Sequence, residues 1–150
     1  MTSTIISKVS SILPSKKYKL IIDTNVLLLP GSAGIDIFTE LERVLNERVQ
    51  LCAMKGTVEE LQSLIDKKPK KAGKKIKGKD AFNAKLGFIL LHKKNVKIIS
   101  HEEGHVDDAI IAKISKNDYV FTLDKALQKR VREKSAKIIS VRQQHLVLLQ

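Results

Sequence analysis

The chain has 150 residues, 43% of them hydrophobic, a length and apolar content that suit one domain with its own core and exclude a disordered or fibrous class. Lys plus Arg number 28 against 16 Asp plus Glu, and the resulting formal charge of +12 points to a polyanionic partner, nucleic acid first. The single cysteine, Cys52, excludes an internal disulfide, and with no Cys pair or His/Cys cluster there is no zinc site, so any metal must be held by oxygen.

Residues 1–17 place Ile5, Ile6, Val9, Ile12 and Leu13 at helical spacing, which predicts an amphipathic extension packed on a domain spanning 18–150, with a transit peptide as the alternative. No stretch approaches the ~20 apolar residues of a membrane span, and a soluble, cytoplasmic protein without a membrane partner is expected. YKLII then reads as a buried strand ending in DTN, so that Asp23 falls at a strand's C-terminal end. LLLPGSAG reads as a loop by its Pro and Gly, and Ile35, Phe38, Leu41, Val44 and Leu45 predict a helix through IDIFTELERVLNERV. VQLCAM is a second strand, in which Cys52 is expected as a small buried hydrophobe. Thr57-Val58-Glu59-Glu60 has the pattern of a capping box, placing Glu60 in the first turn of the next helix.

Eight lysines follow between 67 and 79: Lys67, Lys68, Lys70, Lys71, Lys74, Lys75, Lys77 and Lys79. With Pro69, Gly73 and Gly78 among them, the run predicts a phosphate-contacting loop, a solvated linker being the alternative. DAFNAKLGFILLHKK resumes helical periodicity, VKIIS is a third strand, EEGH a turn, and VDDAIIAKISKN a helix with Asp107 and Asp108 in its first turn, where acids suit the positive dipole end. YVFT is a fourth strand that delivers Thr122 and Asp124, DKALQKRVREK a helix, and KIISV a fifth strand before the tail RQQHLVLLQ. Lys125, Lys129, Arg130 and Arg132 are expected as further phosphate contacts, whereas His92, His101, His105 and His145 are scattered and read as surface residues, a ligand role being the alternative for His105, close to Asp107. Strands alternating with helices predict an α/β fold: a three-layer α/β/α sandwich, Rossmann-like, around a mainly parallel sheet of about five strands.

In open α/β sheets ligands bind beyond the carboxyl ends of the strands. Asp23, Glu60, Asp107 and Asp124 all fall on that rim. Each has a local role available, as Asx turn, capping-box partner, dipole residue or N-cap, but unrelated caps need not share one rim. Four crowded carboxylates would repel one another unless a hard cation sat among them. Magnesium or manganese, octahedral and oxygen-seeking, leaves positions for a phosphate oxygen and an attacking water, so the chemistry indicated is metal-dependent phosphodiester hydrolysis.

LIIDTNVLL at 20–28, VEEL at 58–61, VDDAIIA at 106–112 and TLDKAL at 122–127 resemble, in order and rough spacing, the four successive signatures of the PIN-domain nucleases. The likeness covers about residues 18–142. It implies Asp23, Glu60, Asp107 and Asp124 as catalytic metal ligands for Mg2+ or Mn2+, Asp108 as an additional acid, and Asn25 and Thr122 as residues orienting the ligands. DTNVLLLPGSAGIDIFTELERVL and SVRQQ look most similar to archaeal PIN proteins related to the small-subunit processome endonuclease, with a looser likeness to VapC-type toxins. The expectation is a divalent-metal endoribonuclease acting on structured RNA, plausibly in ribosomal RNA processing with an assembly partner. The alternatives are a toxin restrained by an antitoxin and an RNA-binding scaffold that does not cut. The apolar tail HLVLLQ suits a homodimer interface.

Overall fold

The computed structural model describes residues 18–66 and 78–149. The extension 1–17 and the lysines from Lys67 to Lys77 lie outside them. The element order is β1 (Tyr18–Ile22), α1 (Thr24–Leu27), α2 (Leu29–Ser32), α3 (Ile37–Val44), β2 (Val49–Met54), α4 (Lys55–Ile65), α5 (Gly78–Lys93), β3 (Lys97–Ile99), α6 (Val106–Lys113), β4 (Tyr119–Phe121), α7 (Lys125–Glu133), β5 (Lys137–Arg142) and β6 (His145–Leu149).

Successive residues of a strand point to opposite faces, so continuous apolar runs such as LII and YVF require cover on both sides. Leu20, Ile22, Ala53, Tyr119, Phe121 and Ile139 enter one core with Leu27, Phe38, Leu41, Leu61, Ala84 and Leu91 from α1, α3, α4 and α5. Ile21, Cys52, Met54, Val120 and Ile138 enter the other with Ala109, Ile110, Leu127 and Val131 from α6 and α7. The result is the three-layer α/β/α fold. Cys52 is fully buried. Where α5 presses on α1, Gly87 makes the approach, because a Cβ there would collide with the backbone oxygen of Leu27.

The strands lie in the order β3-β2-β1-β4-β5-β6. All pairs are parallel except β5 with β6. The chain steps outward from β1 through β2 to β3, then returns to the opposite side of β1 as β4. That reversal opens a crevice at the carboxyl ends of β1 and β4, the position where such sheets hold ligands. Among the described residues no helix is long and apolar enough to cross a membrane.

Several local expectations are corrected. The tail is not free: Gln143 and Gln144 both take positive φ, 51° and 68°, and turn the chain into β6, which pairs with β5 from Ile138↔Leu149 to Arg142↔His145. The sheet thus has six strands rather than five, and Leu146 is buried within the fold. LLLPGSAG contributes the last residue of α1 and all of α2 instead of a plain loop, since Asp23 caps α1 and Pro30 sits where a helix start tolerates it. The following helix starts on Asp36, whose carboxylate accepts from the Thr39 amide, and stops at Val44. Gly78, expected in the lysine-rich loop, lies within α5. Thr57 is no cap: α4 begins at Lys55, so Glu60 stands in its second turn.

Candidate active site

Asp23 sits at the crevice because the buried end of β1 carries it there, its amide bonded to the Phe121 carbonyl of β4 at 2.9 Å. Both carboxylate oxygens are engaged. Oδ1 accepts from the Thr24 amide at 2.9 Å and Oδ2 from the Thr122 hydroxyl at 2.6 Å. Burial pushes the Asp23 carboxyl above its ordinary value. The two hydrogen bonds pull it down, and the charges of Asp107 and Glu60 push it up again. Asp107 and Glu60 therefore stand near enough to Asp23 for their charges to act on it.

Glu60, half-buried on α4, and Asp107, on the first turn of α6, line one cavity of about 400 Å³ together with Lys55, Ser63 and His105. Of their doublet partners, Glu59 lines the same cavity and lies 3.9 Å from the ammonium of Lys55, whereas Asp108 is 63% exposed and 2.8 Å from the guanidinium of Arg130 on α7. Asp108 thus faces away from the set, along a helix whose neighbouring residues point in different directions.

Asp124 is exposed, and its Oδ1 caps α7 by accepting from the Leu127 amide. Its own amide donates to the Thr122 hydroxyl at 3.1 Å, so Thr122 links it to Asp23. Thr122 is fully buried, and its carbonyl accepts from the side-chain amide of buried Gln128. The Oδ1 of Asn25 is buried with no hydrogen-bond partner among the described residues. No three His, Cys, Asp or Glu side chains among the described residues stand close enough to hold one metal ion as they are.

Two features had no local signal in the sequence. The hydroxyl of Thr24 donates to that of Thr57 at 3.1 Å in a buried contact that ties α1 to α4. Gln128 braces Thr122 from within a helix that otherwise carries basic and apolar residues around it. Of the predicted phosphate contacts, Lys79, Lys125 and Lys129 are exposed, whereas Arg130 is occupied by Asp108.

Residues 20–144 match the family profile described as PIN-like domain. The chain is 31% identical over 128 residues to Ribonuclease VapC4 of Methanocaldococcus jannaschii, covering 84% of this chain and 92% of that protein. In structure it is similar to the PIN domain endonuclease Utp24, with a TM-score of 0.68, 23% identity, and coverage of 87% of this chain and 90% of the other.

Proposed function

The chain belongs to the PIN-like domain family, and from that premise we propose that it is an endoribonuclease that hydrolyses RNA phosphodiester bonds with a divalent cation held at Asp23, Glu60, Asp107 and Asp124. The observation that carries the reading is a half-buried Asp23 whose carboxyl is raised by partial burial and further by the charges of Asp107 and Glu60. A protein that gathers carboxylates in this way stabilises them best with a hard cation, for which carboxylate oxygen is the favoured donor. The unpartnered Oδ1 of Asn25, two residues from Asp23, fits the same reading.

A bound magnesium or manganese ion would supply charge neutralisation at the phosphate and a water acidic enough to attack it near neutral pH. The chain's own residues supply the rest. Thr122 and the Thr24 amide fix the rotation of the Asp23 carboxylate, so that it need not reorganise when loaded. Glu60 and Asp107 face the cavity from two different helices and close on Asp23 when their repulsion is relieved. Lys125 and Lys129, on the helix that Asp124 caps, are placed to hold the phosphates on either side of the cut.

The named relative is a ribonuclease, which supports RNA as the substrate here. Ribosomal RNA maturation is the finer reading. Incubation of the protein with precursor ribosomal RNA and manganese tests it: cleavage that disappears in Asp23→Asn supports the proposal, and cleavage unaltered by that substitution, or none at all, refutes it. The similarity to VapC4 favours one second reading, a toxin ribonuclease, and an antitoxin gene beside this one separates the two.

A further inference from the structure

The helix that carries Glu60 has no side chain at its own start to receive its free amides. Its N-cap is Met54, extended at φ −77° and ψ 150°, and the first amides of any helix lack an intrahelical acceptor. The acceptor comes from 45 residues away: the Gly56 amide donates to Nε2 of His101 at 2.8 Å. A ring nitrogen that accepts carries no proton, so the proton is on Nδ1, which donates to the Glu102 carbonyl at 2.7 Å.

His101 stands in the loop between β3 and α6, the helix whose first turn carries Asp107. Gly56 is the second residue of α4, one turn before Glu60. The contact is close because residue 56 has no side chain: a Cβ there would stand 2.7 Å from Cγ2 of Val106 and 3.0 Å from Nε2 of His101. Val106, next to Asp107, is itself buried in the core that holds Met54. One imidazole and one valine thus seat the start of the Glu60 helix against the segment that presents Asp107.

We propose that His101 is a positioning residue that sets the separation of the Glu60 and Asp107 carboxylates by clamping the first turn of α4 to the β3–α6 loop. Its effect on metal binding rests on the reading given above. The clamp itself rests on the hydrogen bonds alone. The expected size is that of groups orienting metal ligands, whose loss weakens metal affinity by about 10- to 100-fold.

The test uses full-length wild type, His101→Leu and His101→Gln. Leucine fills the space without an acceptor, whereas the amide oxygen of glutamine reaches close to the place of Nε2. Two quantities are read: manganese affinity from the electron paramagnetic resonance of the free ion, and exchange of the Gly56 amide by NMR in metal-free protein. His101→Leu is expected to weaken manganese binding by about 10- to 100-fold and to speed Gly56 exchange, and His101→Gln to restore most of both. Unchanged affinity in His101→Leu, even with a lowered melting temperature, overturns the proposal, as does a His101→Gln no better than leucine. If the wild type binds no manganese, the metal reading fails by itself. The clamp is then decided by Gly56 exchange: acceleration in the leucine variant supports it, and unchanged exchange overturns it.

Discussion

Thr122→Val removes one hydroxyl from the centre of the site and almost nothing else, since valine keeps the volume of a fully buried side chain. That hydroxyl donates to Asp23 at 2.6 Å and accepts from the Asp124 amide at 3.1 Å. A hydrogen bond to a charged group contributes about 1.5–3 kcal/mol, and an amide left without an acceptor costs at least about 1 kcal/mol. Burying a methyl in place of a hydroxyl returns about 1 kcal/mol. The net loss is about 1.5–3 kcal/mol near neutral pH, a fall of roughly 3–12 °C in melting temperature for a chain of this size. The penalty depends on pH with a definite sign. Asp23 has a folded pKa above its ordinary 3.8, with the Thr122 bond among the groups holding it down, so the substitution raises it further. A carboxyl raised in the folded state loses stability as pH climbs from its unfolded value through its folded one. The variant's deficit is therefore largest when Asp23 is ionised and shrinks toward the cost of the Asp124 amide when it is protonated. Thermal melts of metal-free protein at about pH 7.5 and about pH 3.5 measure both. An equal penalty at the two pH values, or none at the higher, would refute the reasoning.

The same linkage makes Asp23→Asn expected to raise the melting temperature of metal-free protein near neutral pH, because it removes a charge the fold disfavours, and to give no gain below pH 3.8. In the same variant, manganese-supported cleavage should fall by more than about 100-fold, beyond the loss expected from a group outside the ligand shell; a variant both active and unstabilised contradicts both halves. Asp108→Asn breaks an ion pair whose partners are 63% and 42% exposed, so its stability should change by no more than about 1 kcal/mol. Its cleavage should stay near wild type while Asp107→Asn loses it, and equal losses in the two would reverse the assignment within that doublet.

The sheet was legible where burial and chain direction agree. YKLII and YVFT, apolar on both faces, announced central strands, and the polar residues that follow them marked the rim where Asp23 and Thr122 stand. β6 was hidden because the turn before it is Gln-Gln, with neither residue of the glycine or asparagine type that positive φ normally selects. The Thr57-x-x-Glu60 pattern misled for a related reason. A capping box is a local signal, but this helix takes its acceptor from His101, distant in sequence, and starts three residues earlier, after Met54 rather than Thr57. The rim acids were visible by type and spacing, and the family likeness already favoured Glu60 over Glu59 and Asp107 over Asp108. The ion pair that holds Asp108 to Arg130 had no signal in the motif, because it is a matter of packing between helices.

Anomalous diffraction from crystals of the full chain soaked in manganese bears most directly on the central claim. The account predicts a peak about 2.0–2.2 Å from a carboxylate oxygen of Asp23, with Glu60 and Asp107 drawn toward it. No peak at Asp23, in protein that still cleaves RNA with manganese, would contradict it.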